Sequence, residues 1–202
     1  MLATTILVGV PLALVPLLPL PGSARDCQLE VLAPQALEER TIDEFHARVS
    51  AYVMVHRYLA RSLSPVHMFA DEEATLVNDE LRSALVAAFP QAGPGRLFTP
   101  AVRELLRTRI DNALRDGAAQ GSMTGYDPLL GEPPPMVNQP FPSVVGAAYW
   151  PALAQILPVI PEELEYLFWD RDLVLVDVDA NLVIDVLREA LPERIRPGVG
   201  FE

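Results

Sequence analysis

The chain has 202 residues, half of them hydrophobic and 21% charged, with 15 basic side chains against 27 acidic ones for a formal charge of -12. That length suits one ordinary domain behind a leader, and the apolar content suffices for a buried core, which excludes a large multidomain enzyme and wholesale disorder. The acidic balance disfavours unassisted binding to nucleic acid or an anionic membrane, and because every basic residue is Arg, Schiff-base and general-base lysine chemistry are removed.

Residues 1–24 carry no charged side chain, run apolar from Ile6 through Leu18, and end in Pro19-Leu20-Pro21-Gly22-Ser23-Ala24 ahead of Arg25. The pattern predicts a secretory signal peptide cut between Ala24 and Arg25, with Gly22 and Ala24 at the small-residue positions the peptidase reads, although the usual basic start is missing. The alternative is an uncleaved membrane anchor. Against it, Pro11, Pro16, Pro19 and Pro21 interrupt the stretch and no basic cluster flanks it, so the expected product is periplasmic or secreted, with no membrane span after leader cleavage. Cys27 is the only cysteine; the mature chain therefore forms no internal disulfide and stands on its core.

Residues 25–40 are expected to be an extended N-terminal segment, and residues 41–202 a single α+β domain. Thr41-Ile42-Asp43-Glu44 has the capping-box pattern, and Ile42, Phe45, Val49, Tyr52, Val53, His56, Leu59 and Leu63 recur at helical spacing up to Ser64-Pro65. A second helix is expected over 71–89, and a third from Thr99-Pro100 to about Gly117, each with an apolar stripe. Three such helices with short connections predict a three-helix bundle. Residues 118–142, with Glu132-Pro133-Pro134-Pro135, read as a Pro/Gly-rich linker, and 143–156 as a short helix interrupted near Pro151.

Leu164–Trp169 and Leu173–Val178 are β-prone runs separated by Asp170-Arg171-Asp172, which predicts a β-hairpin. Leu182, Val183, Val186, Leu187, Ala190 and Leu191 then read as the stripe of a closing helix stopped by Pro192. The expected architecture is α+β and mainly helical: an N-terminal three-helix bundle, a C-terminal hairpin and the closing helix.

Asp170, Asp172, Asp177, Asp179, Asn181 and Asp185 form the densest polar set. Asp177-Val178-Asp179-Ala180-Asn181 imitates the start of a calcium loop, but Leu182 stands where that loop needs Gly and Arg188 where it needs Glu, so no metal and no cofactor is expected. A strand-to-helix junction explains the set better, with Asp179 or Asn181 capping the last helix and the acidic side chains in water. His46 and His56 lie about 80° apart around a helix, which makes no close ligand pair, and His56 on the apolar stripe reads as a hydrogen-bonded core histidine. Glu44, Arg48, Arg57 and Arg61 read as a solvated face, as do the alternating charges of Arg103, Glu104, Arg107, Arg109, Asp111 and Arg115. Trp150, Trp169, Tyr149, Tyr166 and Phe168 read as core packing. No nucleophile elbow, phosphate loop, dinucleotide fingerprint or zinc-protease motif occurs.

The motifs Phe98-Thr99-Pro100, Pro161-Glu162-Glu163-Leu164-Glu165-Tyr166, Arg171-Asp172-Leu173-Val174-Leu175 and Asp177-Val178-Asp179-Ala180-Asn181-Leu182 together resemble a group of exported bacterial proteins without an assigned activity. The resemblance spans most of the chain after the leader and implies export and a bacterial source. It gives no residue a role.

The sequence therefore leads to an exported protein that binds a small molecule or an envelope protein without catalysis, with Asp177, Asp179, Asn181 and His56 as candidate ligand-binding residues. An enzyme using carboxylates near Asp177 and Asp179 with His56 is the first alternative, favoured if folding gathers these groups in a cleft. A structural or oligomerisation module is the second. For the leader, intact mass of the secreted product is expected to correspond to a chain starting at Arg25; recovery of the full-length species in membranes would show anchoring instead.

Overall fold

The computed structural model describes residues 34–63, 71–90, 93–117, 133–142 and 150–193, all within one compact unit, Leu32–Glu202. The expected leader and its cleavage site, Cys27, His67, Tyr149 and most of the expected linker lie outside the described residues. The elements run α1 (Pro34–Leu63), α2 (Asp71–Ala88), α3 (Pro100–Arg115), α4 (Pro151–Ala154), β1 (Leu164–Trp169), β2 (Asp172–Asp177) and β3 (Leu182–Leu187). Among the described residues no helix is long and apolar enough to cross a membrane.

The first helix starts earlier than the capping box suggested. Pro34 is tolerated at a helix start, and Gln35-Ala36-Leu37-Glu38-Glu39-Arg40 are good helix formers, so residues 34–40, expected to be extended, are helical. Thr41 is interior and buried, and its hydroxyl donates to the Leu37 carbonyl one turn back at 2.8 Å instead of capping an end. The buried side of α1 comprises Thr41, Phe45, Val49, Tyr52, Val53 and His56, close to the stripe read from spacing. Thr99 caps α3 as expected, its side chain accepting from the Val102 amide at 3.4 Å with Pro100 in the first turn.

The expected hairpin is part of a three-stranded antiparallel sheet in the order β1-β2-β3, and the expected closing helix is its third strand. Leu182 and Leu187 with Val183 and Val186 suit a helical stripe, but Val183, Ile184 and Val186 are β-branched and favour a strand. The two-residue alternation that would have identified the strand is absent because both faces of β3 are covered and all six of its residues are buried. Asn181 takes the left-handed φ of 45° in the turn between β2 and β3, a conformation that Asn tolerates, and caps no helix.

One face of the sheet, with Leu173 and Leu175 of β2 and Leu182, Ile184 and Leu187 of β3, merges with Phe45, Val49, Tyr52 and Val53 of α1, Leu81 and Leu85 of α2, and Val102, Leu106 and Ile110 of α3 into a single buried cluster. The helical stripes thus share one core with the sheet. The other face carries Val174, Val176, Val183 and Val186, packed by Phe141, Val137, Leu167 and Trp169. Part of the expected linker supplies this cover: the Asn138 amide donates to the Val183 carbonyl at 2.9 Å, the Val183 amide to the Gln139 carbonyl at 3.0 Å, and the Phe141 amide to the Asn181 carbonyl at 3.3 Å. The aromatic residues pack as expected, Trp150 edge-on to Phe168 and Phe141 edge-on to Trp169.

An irregularity in the β2–β3 register directs a carboxylate into the core. Leu175 pairs with Asp185 but its neighbour Val176 pairs with Val183, so Ile184 is the extra residue of a bulge and Asp185 lies on the helix-facing side with Leu175. Asp185 has no exposed surface. Its Oδ1 accepts from the amides of Gly95 and Val186, each at 2.8 Å, and its Oδ2 from those of Leu97 at 2.7 Å and Phe98 at 2.9 Å. The turn before α3 is therefore wrapped around a buried anion. Gly95 enters this turn at φ 93°, and a Cβ there would meet Arg103 Nη2 at 2.9 Å, so the position requires glycine.

Asp185→Asn keeps the shape of the side chain but leaves one carbonyl oxygen to serve four donors. A loss of about 3–5 kcal/mol in equilibrium unfolding is expected, because a charged acceptor is withdrawn from buried partners. A loss within experimental error would show that the loop does not depend on the carboxylate.

Candidate functional site

Asp177 ends β2 on the same face as Leu173 and Leu175, opposite Leu182, and so points at α1. On α1, Tyr52 and His56 are one turn apart at the end of the buried stripe. The three meet in the interior: the Tyr52 hydroxyl donates to Asp177 Oδ2 at 2.7 Å, and His56 Nδ1 lies 2.6 Å from the same oxygen. Asp177 Oδ1 accepts from the Ala180 amide at 2.9 Å, which closes the turn after β2. Asp177 has no exposed surface and His56 is 2% exposed. The expectation that the acidic side chains stay in water is thus corrected at Asp177 and Asp185, where partners from distant segments replace the solvent.

The second imidazole nitrogen, Nε2, lies 3.3 Å from Asp179 Oδ2. His56 is therefore held between a buried carboxylate and an exposed one, an arrangement that favours the imidazolium with a proton on each nitrogen. Its pKa is raised, chiefly by the hydrogen bond to Asp177 and against the opposing effect of burial, with further support from the negative charges of Asp177, Asp179 and Glu163. Burial, then the neighbouring Asp177 charge, pushes the Tyr52 phenol far above its ordinary range, so Tyr52 serves as a fixed donor. Its ring stacks on Phe89, and the Arg96 guanidinium lies 3.5 Å from the Phe89 ring centre and 5.7 Å from that of Tyr52.

His56 also borders a cleft of about 540 Å³, lined by His56, Arg57, Ala60 and Arg61 from α1, by Glu162 and Glu163 from the segment entering β1, and by Asp179 from the β2–β3 turn. Glu163 is brought there by the sheet, its carbonyl accepting from the Val178 amide at 3.0 Å. Its side chain is buried and paired through Oε1 with Arg57 Nε, which holds the Glu163 carboxyl below its ordinary pKa, while Oε2 has no hydrogen-bond partner among the described residues. Arg61 donates through Nε to the Arg57 carbonyl at 3.0 Å.

The cleft unites three of the four candidate residues: His56 and Asp179 line it, and Asp177 supports His56 from behind. Asn181 is exposed and contributes its carbonyl to the Phe141 strap. Sequence reasoning missed Tyr52, Arg57, Arg61, Glu162 and Glu163 as parts of the site. The signal available for Tyr52 was its polar hydroxyl one turn before a histidine on an otherwise apolar stripe. The arginines carried no such signal, since spacing alone cannot separate a solvated face from the wall of a cleft. The charges of α3 also do more than face water, as Arg109 Nη2 bonds Glu38 Oε1 at 2.7 Å and Arg107 Nη2 donates to the Arg188 carbonyl at 2.9 Å.

Chemically, His56 can donate a proton or present positive charge while it is protonated, the form that the two carboxylates favour. The described lining offers no hydroxyl or thiol nucleophile. Comparison of the chain with protein-family models, curated proteins and solved structures finds no match.

Because the His56 pKa is raised in the fold, its contribution to stability is full below about pH 6.5, the value for the unfolded chain, and is lost as pH rises through the higher native pKa. In NMR titration the His56 ring protons are expected to shift at a pH above that of a free histidine, and Asp177→Asn to lower that midpoint. A native midpoint at or below the free value would contradict the double clamp.

Proposed function

We propose that this is an exported, non-catalytic binding protein whose ligand occupies the cleft beside His56. The observation that carries the reading is the doubly paired imidazole at an open, charged cleft: each nitrogen of His56 faces a carboxylate, so the ring is held in place while the surrounding Arg57, Arg61, Glu162 and Asp179 supply polar groups for recognition. The leader composition supports export, which puts the cleft in contact with periplasmic or external small molecules.

A second reading, an enzyme using Asp177, Asp179 and His56, is favoured by the proximity of these groups at the cleft. In it the imidazolium acts as a general acid toward a leaving group, oriented by Asp177. One experiment separates the two. The mature protein is incubated with mixtures of envelope small molecules while protein amides and compound signals are followed by NMR. Binding predicts saturable shifts centred on residues 56–61, 162–163 and 179 with every compound chemically intact. Conversion of a compound that stops in His56→Gln would establish the enzyme instead, and the absence of any response at the cleft would defeat both.

A further inference from the structure

The two walls of the cleft carry opposite charge. Along α1 stand the imidazole of His56 and, one turn apart, the guanidinium groups of Arg57 and Arg61, with Ala60 between them. Across from them stand Glu162, Glu163 and Asp179. Each arginine is tethered at Nε, Arg57 to Glu163 and Arg61 to the Arg57 carbonyl, and the terminal nitrogens of both bond nothing among the described residues. A guanidinium fixed at Nε with its paired terminal N–H groups unspent is suited to a carboxylate. On the opposite wall, Glu163 is nine-tenths buried and its Oε2 is an acceptor without a donor among the described residues, so the acidic side retains unmet capacity beneath its surface.

We propose that the cleft takes a zwitterion, a free amino acid or short peptide, with its carboxylate on Arg57 and Arg61 and its ammonium toward Asp179 and Glu162. This rests on the binding reading given above and names the ligand class for that cleft. A plain carboxylate meets repulsion from the acidic side chains of one wall and a plain amine from the two arginines of the other, whereas a ligand carrying both charges gains on each wall. The volume of about 540 Å³ lies in the usual range for small-molecule sites and accommodates a dipeptide.

The test uses L-alanyl-L-alanine, its N-acetyl derivative and its C-terminal amide, titrated into the mature chain and read by amide NMR. The free dipeptide is expected to give saturable shifts at residues 56–61, 162–163 and 179, and each blocked form to bind at least about tenfold more weakly. Arg61→Gln, at an exposed position, is expected to weaken the dipeptide without changing thermal unfolding; Glu163→Gln is expected to weaken it while also loosening Arg57. Blocked and free forms binding alike, or Arg61→Gln binding like the parent, would overturn the proposal. If the dipeptide leaves the cleft unmoved while another compound moves it, the ligand class falls and the binding reading stands; if nothing moves it, both fall.

Discussion

A carboxylate without solvent contact at the end of a central strand is the constraint around which α1 and the sheet are arranged. Removing an ionised Asp from water is costly unless the fold returns an equivalent set of donors. Asp177 receives three: the phenol and imidazole of α1, and the backbone amide of its own turn. The first two specify where along α1 the strand end must sit, since a shift of one residue in that helix would rotate both donors off the carboxylate by about 100°. Apolar packing brings helix and sheet together; this charge selects the register.

Asp185 applies the same principle at a different place on the sheet. There the donors are backbone amides of a turn, so the carboxylate shapes the path of the chain into α3. The bulge is what makes the site possible, because a regular β3 would alternate Asp185 onto the opposite face with Val183 and turn Val186 toward the helices. Both carboxylates lie on the helix-facing side of the sheet, among apolar side chains, and only the one at the end of β2 continues through His56 to Asp179 and the cleft.

Much of the helical half was legible from the sequence because amphipathic helices announce their period. The stripe from Phe45 to His56 is one-sided, and the Thr99-Pro100 cap combines side-chain chemistry with a fixed φ. The α1 start was misjudged since Thr41 and Glu44 satisfy a capping pattern that also occurs inside helices, where only tertiary burial distinguishes them. Covering both faces of β3 erased its alternation and left a run of aliphatic residues compatible with either period. Asp177, Asp179 and His56 were legible as a candidate set, but not their geometry, and Asp177 was read as wet because its donors lie on α1, far away in sequence. Nothing local to Arg57 or Glu163 marks a cleft wall; the pairing of β1 with β2 makes them one.

That separation bears on how the chain acquires its shape during synthesis. The bond between Tyr52 and Asp177 closes a span of 125 residues and that between His56 and Asp177 one of 121. α1 emerges first, yet its phenol and imidazole cannot be satisfied until the last third of the polypeptide has appeared, so the N-terminal helices cannot complete their interior on their own. A nascent chain of this protein therefore cannot seat the Asp177 carboxylate among its donors on α1 until late in elongation.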